Sequence, residues 1–365
     1  MGYLGLLNNR ELRNTIIGDY IEYAQSNYPQ YTDIHLTAGK PPTLRANSTL
    51  MEMPFKRLDD IDIMGIVTIL LSSEQRERLD NVKNLDFSFS CEYGRYRGNI
   101  YIQRGSYSIA LRKLSDYIPT IEELGLPQTV YDLIGKKRGL LLVTGPTGSG
   151  KSTTLAAMIN YITQTQPAKI ITVEDPIEYL FKHNMAIVDQ REVGTDVLSF
   201  ADALKYALRE DPDIVMVGEM RDLESISTAL TLAETGHLVM ATLHTKSAGE
   251  SVDRIIDVFP DEQQKQIRLQ LSMVLEGIIS QRLLPRATGD GVVLAYELMV
   301  STPAIRNIIR EGKTQQIANI LYTGSKEGMT TFDQTLVRLY KSHNITKETA
   351  LEYAFDVESV QRSLT

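Results

Sequence analysis

The spacing of hydrophobic residues changes at about residue 115. Before that point, apolar residues recur at helical intervals in residues 10–28 and 59–71, and they alternate with polar residues in residues 31–37 and 43–45. Further alternating segments predict antiparallel strands at residues 86–90, 94–103 and 107–113. We therefore predict an α+β domain in residues 1–115.

Beyond residue 120, patterns of buried strands alternate with patterns of amphipathic helices. Continuous apolar runs predict parallel strands at residues 140–143, 169–173, 214–218 and 238–243. Helical spacing predicts helices at residues 198–209, 222–235, 261–284 and 302–312, with a helical tail from residue 331. This alternation predicts an α/β fold with a parallel sheet in residues 121–365. Residues 116–120 contain Pro119 and show no periodicity, so we interpret them as a linker.

A glycine-rich segment follows the first of these strands and precedes a helix. Residues 145–152 match G-x-x-x-x-G-K-[ST], the P-loop pattern in which backbone N–H groups and a helix N-terminus bind phosphate. The predicted nucleotide-binding residues are Gly145, Pro146, Thr147, Gly148, Ser149, Gly150, Lys151, Ser152 and Thr153. Lys151 is expected to contact the β- and γ-phosphates and Ser152 to ligate Mg²⁺. The sequence thus predicts ATP and Mg²⁺ as ligands.

Polar residues end the three other predicted parallel strands: Glu174, Glu219 and His244. In an open parallel sheet, ligands bind at the carboxyl ends of the strands, so these side chains are expected to face the P-loop. We assign Glu219 to the metal and Glu174 to the attacking water, although the reverse assignment stays open. His244 is expected to contact the γ-phosphate, with a satisfied core histidine as the alternative.

The composition narrows the classes of partner. The chain has 365 residues and a net charge of −8, which suits nucleic-acid binding poorly, so we predict no nucleic-acid partner. Its one cysteine, Cys91, excludes intrachain disulfides and any cysteine-rich zinc site, and a cytoplasmic location is expected. No apolar run approaches the roughly 20 residues of a membrane-spanning helix, so direct membrane insertion is not expected.

Four arginines lie in the region of the sheet predicted for the first domain: Arg95, Arg97, Arg104 and Arg112. They are typical of a solvated sheet face. Alternatively, they reach the nucleotide of a neighbouring subunit as arginine fingers. The sequence pattern alone does not distinguish the solvated face from the arginine fingers.

The chain resembles the secretion and type IV pilus ATPases in four ordered segments. Residues 145–154, 170–179, 209–222 and 233–245 are similar to the Walker A, Asp box, Walker B and His box of that family. The resemblance implies a homohexameric ring, a PAS-like domain in residues 1–115, and a RecA-like ATPase domain with a C-terminal helical subdomain in residues 121–365. It also implies that ATP binds between the two domains and that Arg97 and Arg112 approach its phosphates. The family assigns Glu174 to water activation and Glu219 to Mg²⁺, as the residues themselves suggested.

Further features resemble the retraction branch of this family. The length is similar, a tetracysteine zinc module is impossible, and residues 304–310 (AIRNIIR) resemble the retraction motif. This implies a motor for pilus retraction and twitching motility at the inner face of the cytoplasmic membrane. The implied partners are an inner-membrane platform protein and a second retraction ATPase. Arg306 and Arg310 are expected to form a coupling surface whose loss spares ATP hydrolysis but abolishes twitching.

The alternatives within the same fold are an accessory retraction ATPase and an assembly ATPase. A RecA-like nucleic-acid translocase and a P-loop protein that binds ATP without hydrolysing it are alternatives of other classes.

Overall fold

The computed structural model describes residues 12–47, 49–115 and 117–364, and the chain divides into two compact units. The first unit comprises Met1–Tyr117 with Pro176–Leu180, and the second comprises Ile118–Asp175 with Phe181–Thr365. Residues 10 and 11 of the first predicted helix, and Asp116 of the predicted linker, lie outside the described residues. None of the helices described is long and apolar enough to cross a membrane.

The first unit is built on an antiparallel sheet of six strands. Its elements are α1 (Ile16–Asn27), β1 (Asp33–Thr37), β2 (Thr43–Ala46), β3 (Thr49–Glu52), α2 (Asp60–Leu70), α3 (Ser73–Val82), β4 (Asn84–Cys91), β5 (Gly94–Gln103) and β6 (Ser106–Lys113). The strand order is β3-β2-β1-β6-β5-β4. Helix α2 begins with a capping box, in which Asp59 and Asp62 each accept a backbone N–H from the other. Tyr20, Ile34 and Tyr96 are among the buried residues that form the core of this unit.

The second unit is a seven-stranded sheet with helices, as the predicted α/β class requires. Its elements are α4 (Thr129–Ile134), β7 (Gly139–Thr144), α5 (Lys151–Thr165), β8 (Lys169–Glu174), β9 (Ile187–Glu192), α6 (Phe200–Ala207), β10 (Ile214–Val217), α7 (Leu223–Glu234), β11 (Leu238–Leu243), α8 (Ala248–Asp257), α9 (Asp261–Val274), β12 (Leu275–Pro285), β13 (Val292–Val300), α10 (Pro303–Glu311), α11 (Ile317–Thr323), α12 (Phe332–Lys341), α13 (Lys347–Tyr353) and α14 (Val357–Ser363). The strand order is β13-β12-β7-β11-β10-β8-β9, and all neighbours are parallel except β12 and β13.

The predicted helix at residues 261–284 is wrong in its second half. Helix α9 ends at Val274, and β12 begins at Leu275. Strand β12 lies between β7 and β13, so most of its side chains are buried and its sequence shows no regular alternation of apolar and polar residues. Leu271, Leu275 and Ile278 instead continue the spacing of a helix across the boundary. Gly277 is the residue that favours a strand here, because a Cβ at this position would lie 3.0 Å from the carbonyl oxygen of Met299 on β13.

Other boundaries follow from local chemistry. Thr302 caps α10 by accepting the N–H of Ile305, and Gly312 ends it at φ +68°, as predicted for residues 302–312. Strands β3, β9 and β13 had no counterpart in the sequence prediction, whereas the predicted helical tail is present as α12, α13 and α14.

Candidate active site

The P-loop connects the end of β7 to the start of α5. At Gly145 φ is +149°, and a Cβ there would lie 2.3 Å from the carbonyl oxygen of Gln281, so only glycine fits. The Gly145 N–H donates to the carbonyl oxygen of Leu243 at 3.2 Å. The amide nitrogen Nε2 of Gln281 donates to the carbonyl oxygen of Ser149 at 2.8 Å. The loop is therefore fixed from β11 on one side and from β12 on the other.

The donors of this loop suit a phosphate group. Helix α5 begins at Lys151 directly after Gly150, so the N-terminal end of this helix, with its partial positive charge, adjoins the loop. The hydroxyl of Ser149 is buried and has no hydrogen-bond partner. Lys151 Nζ lies over the loop and donates to the carbonyl oxygens of Gly145 and Pro146 at 2.9 and 3.0 Å. These features fit the triphosphate of a nucleotide, and the exposed Ser152 that follows offers a hydroxyl to a cation.

Glu219 follows β10 and lies within a cluster of cationic groups. Its Oε1 is 2.6 Å from Arg221 Nε and 3.1 Å from His244 Nε2. Partial burial works to raise the pKa of Glu219, but the hydrogen bond and charge of Arg221, with smaller effects of His244 and Lys151, hold that pKa below its usual value. Glu219 is therefore an ionised carboxylate at neutral pH, which is the form that binds a metal ion.

Arg221 and Asp222 are adjacent residues of opposite charge just before α7, a position that suits either a mutual ion pair or a helix cap. The structure separates these roles: Arg221 pairs with Glu219, and Asp222 caps α7 by accepting the N–H of Ser225 at 2.8 Å. The sequence feature that indicates the pairing of Arg221 with Glu219 is that these opposite charges lie two residues apart just after β10.

Glu174 is the last residue of β8 and is 8% exposed. Its Oε1 accepts the hydroxyl of Thr172 at 2.6 Å and the amide Nε2 of Gln190 at 3.1 Å. The Cα of Glu174 would lie 3.3 Å from a Cβ placed at Gly218, the residue before Glu219. The two acidic residues are thus neighbours at one edge of the sheet, and Glu174 is oriented by fixed donors.

His244 directly follows β11 and lies beside Glu219. Its side chain is 43% exposed, so it is not a satisfied core histidine. Glu219, Arg221 and His244 line a cavity of about 580 Å³, which also contains the acidic residues Asp253 and Asp257. Lys151, Glu219 and His244 are thus brought together within the second unit.

Arg97 and Arg112 belong to the first unit, where they face each other across β5 and β6. Both are exposed, and Arg112 Nε donates to Asp33 Oδ1 at 2.9 Å. Arg95, two residues before Arg97 on the same face of β5, is 3% exposed. Its Nε donates to the carbonyl oxygen of Ile177 at 3.0 Å, so it is not part of a solvated face.

Arg306 does not form the exposed coupling surface that was expected. Its guanidinium donates to the carbonyl oxygens of Ser272 and Met273 at 3.0 and 2.6 Å and to Glu276 Oε1 at 3.0 Å. These contacts satisfy carbonyl groups at the end of α9, so Arg306 stabilises this helix end, and the expected effect of its loss on twitching stays a prediction. The isoleucines of this helix are buried, as the helical spacing predicted, whereas Arg310 is exposed.

Sequence reasoning missed the polar residues that β12 brings to the P-loop. Ser280 accepts the hydroxyl of Thr144 at 2.9 Å, and Gln281 binds Ser149 as described above. The sequence analysis had assigned residues 275–284 to a helix, so it did not predict that Ser280 and Gln281 lie beside the P-loop. Their signal was the run of three polar residues, Ser280-Gln281-Arg282, between the apolar pairs at residues 278–279 and 283–284.

Comparison with known proteins identifies the family. The model of the family "Type II/IV secretion system protein" matches residues 106–324. The type IV pilus retraction ATPase PilT of Pseudomonas aeruginosa is 44% identical over 324 residues, which cover 88% of this chain and 94% of that protein. A twitching motility protein of Neisseria gonorrhoeae is 43% identical over 320 residues, which cover 87% of this chain and 86% of that protein.

Solved structures agree with this result. A crystal structure of the pilus retraction motor PilT with bound ADP superposes with a TM-score of 0.87 at 50% identity, covering 95% of this chain and 98% of that one. The family match spans more than half of the chain, and the relatives span most of it. The resemblance carried by the four motifs is therefore confirmed, and the chain belongs to the family of type II/IV secretion system proteins.

Proposed function

We propose that this protein is an ATP-hydrolysing motor that drives type IV pilus retraction and thereby twitching motility. The main support is that Glu219, His244 and Lys151 lie together beside the P-loop. In addition, the chain is 44% identical to a pilus retraction ATPase over most of its length. A phosphate cradle, an ionised carboxylate and a second, oriented carboxylate are the parts that phosphoryl transfer to water requires.

Each side chain of the site receives a distinct role in this proposal. Backbone N–H groups of the P-loop at residues 147–153 and the Lys151 ammonium bind the phosphates of ATP, and Gly145 and Pro146 shape the start of this loop. The Ser152 hydroxyl and Glu219 hold Mg²⁺, which when bound neutralises charge that develops on the phosphates. The lowered pKa of Glu219 supports the metal role over the base role, because a general base works best with a pKa near the operating pH.

Glu174 orients the attacking water and accepts its proton. The bonds from Thr172 and Gln190 to the same oxygen, Oε1, support this role, because they fix the carboxylate against rotation. His244 contacts the γ-phosphate and links that contact to Glu219 through the 3.1 Å approach of its Nε2.

The assembly follows from the family resemblance. The chain forms a homohexamer of subunits with a PAS-like domain (1–115), a linker (116–120) and a RecA-like domain (121–365). Arg97 and Arg112 of the first domain approach the nucleotide. The motor works in the cytoplasm, at the inner face of the cytoplasmic membrane, on an inner-membrane platform protein, and a second retraction ATPase is a further partner.

A deletion strain tests this function in the cell. A retraction motor predicts that the strain keeps surface pili in excess and loses twitching, and that the wild-type gene restores motility while a Glu219→Ala gene does not. An assembly ATPase predicts cells without pili instead, and that result would refute the proposal.

Mixed rings test the arginine role. If Arg97 acts on a neighbouring subunit, Arg97→Ala subunits and Lys151→Ala subunits should inhibit each other in a mixture more than the mole fractions predict. A purely additive loss of ATPase activity would contradict action in trans.

A further inference from the structure

Four buried hydroxyl groups form a continuous line beside the P-loop. Thr245 Oγ1 lies 2.6 Å from Ser251 Oγ, which lies 3.4 Å from Thr144 Oγ1. The Thr144 hydroxyl in turn donates to Ser280 Oγ at 2.9 Å. None of the four residues is more than 4% exposed. We call Thr245, Ser251, Thr144 and Ser280 the hydroxyl chain.

The hydroxyl of Ser251 is the branch point of the hydroxyl chain. Its one proton is shared between two acceptors, the carbonyl oxygen of Ser247 at 2.7 Å and the hydroxyl of Thr144 at 3.4 Å, and the contact with Ser247 is the stronger. Thr245 then donates to Ser251. Because Ser247 is the N-cap of α8, this arrangement ties the turn after His244 to the first turn of the helix.

Net stability gives little reason for hydroxyls at these positions. Replacing both partners of a buried hydrogen bond by apolar groups of the same shape is nearly neutral. Valine and alanine would therefore serve at Thr144 and Ser251 if packing alone mattered. What hydroxyls add is direction, since each contact fixes one oxygen relative to another.

Two members of the hydroxyl chain, Thr144 and Thr245, adjoin the site. Thr144 immediately precedes Gly145, the first residue of the P-loop, and Thr245 immediately follows His244. Strand β11 also contacts the metal side of the site, because the hydroxyl of Thr242 donates to the carbonyl oxygen of Gly218 at 2.5 Å. Gly218 directly precedes Glu219. Polar side chains thus connect β11 to the end of β10, and the turn after β11 to the end of β7.

We propose that the hydroxyl chain is a positioning device that holds the turn carrying His244 in register with the P-loop. This inference rests on the proposed ATP hydrolysis and assigns Thr144 and Ser251 as positioning residues for it. The P-loop itself keeps its bonds from Gln281 and to Leu243, so loss of the hydroxyl chain affects turnover more than nucleotide binding.

Thr144 offers a matched pair of variants. Thr144→Val keeps the shape and removes the hydroxyl, whereas Thr144→Ser keeps the hydroxyl and removes a methyl group. We expect kcat to fall about tenfold in Thr144→Val with an unchanged KM for ATP, because supporting hydrogen bonds around a site are worth at least this much. Thr144→Ser should retain most of the wild-type kcat.

Ser251 has a matched control in another helix. The hydroxyl of Ser272 in α9 is equally buried and donates to the carbonyl oxygen of Leu269 in its own helix. Ser251→Ala should lower kcat as Thr144→Val does, and Ser272→Ala should leave it unchanged. A larger loss in Thr144→Ser than in Thr144→Val, or a rise in KM with constant kcat, would overturn the inference.

Amide hydrogen exchange tests the same point without hydrolysis. In the full chain without nucleotide, residues 244–250 should exchange faster in Thr144→Val and Ser251→Ala than in the wild type, and Ser272→Ala should match the wild type. Unchanged exchange in the first two variants would refute the positioning role. A wild type that fails to hydrolyse ATP would instead refute the proposed function, and the exchange data would still decide whether the hydroxyl chain holds this turn.

Discussion

Replacing Glu297 with glutamine should remove a pH dependence from the stability of this protein. Glu297 lies on β13, is 7% exposed, and accepts the N–H of Ala248 at 2.7 Å. Burial raises the pKa of its carboxyl to about 7, against the lowering effect of that hydrogen bond and with a small contribution from the charge of Asp333. It is therefore a carboxyl group that the fold keeps partly protonated at neutral pH.

The size of the effect follows from the two pKa values. The ordinary pKa of this side chain is 4.5, and the folded value is about 7. One pKa unit corresponds to about 1.4 kcal/mol, so full ionisation of Glu297 in the folded state costs about 3 kcal/mol. The folded chain holds this proton more tightly than the unfolded chain, so the resulting loss of stability develops as the pH rises from about 4.5 to about 7 and is complete above that range.

The assay is urea unfolding of the wild type and of Glu297→Gln between pH 5 and pH 8. The chain contains no tryptophan, so circular dichroism is the appropriate signal. The two proteins should have similar free energies of unfolding at pH 5, and the variant should be more stable by about 3 kcal/mol at pH 8. Glu327→Gln removes an exposed carboxyl and should follow the wild type at every pH. A difference between wild type and Glu297→Gln that does not grow with pH would refute the reasoning.

Three further substitutions test other contacts. Arg306→Ala removes the guanidinium that binds the carbonyl groups at the end of α9, so it should lower the free energy of unfolding by about 2 kcal/mol. Arg310→Ala changes an exposed side chain and should alter that free energy by less than about 0.5 kcal/mol. Equal effects of the two variants in urea titrations would contradict the stabilising role of Arg306. Gly145→Ala places a Cβ against the Gln281 backbone, so nucleotide affinity in a fluorescent-nucleotide titration should fall at least about tenfold; retained affinity would show that the loop tolerates a side chain. Arg95→Ala removes a buried donor to Ile177 and should increase proteolysis within residues 176–180; an unchanged digest would argue that this contact does not hold the segment.

Much of the fold could be predicted because its strands are strongly patterned. The runs before Gly145, Glu174, Glu219 and His244 are buried parallel strands, whose sequences are apolar on both faces. The segment at residues 275–284 was mistaken for the end of a helix because burial on both faces removes the alternation that identifies a strand. The edge strand β9 was not predicted for a different reason: most of its residues are polar, so its sequence contains no hydrophobic pattern.

The site was predictable where a residue type is tied to a position in the fold. Glu219 and His244 follow strands that end at one edge of a parallel sheet, and this topology brings them within 3.1 Å. The partners of these residues were not predictable in the same way. Arg221 forms an ion pair with Glu219 and not with Asp222. Gln281 donates a hydrogen bond to the P-loop from β12, a strand that the sequence analysis had assigned to a helix. Such pairings depend on side-chain directions that only the packed fold determines.

Arg306 shows why a motif does not reveal how its residues act. The AIRNIIR segment indicated the retraction branch of the family, and its arginines were interpreted as a coupling surface. In the folded chain, Arg306 instead closes the end of α9 through carbonyl groups that carry no sequence signal.

Steady-state ATP hydrolysis by the purified full-length chain tests the central claim most directly. We predict Mg²⁺-dependent turnover by the wild type, and a loss of at least about a hundredfold in Glu174→Gln with nucleotide binding retained, because that variant removes the proposed base without disturbing the P-loop. A wild type that binds Mg-ATP tightly without hydrolysing it, or a Glu174→Gln variant that hydrolyses ATP at the wild-type rate, would contradict the assignment of this site.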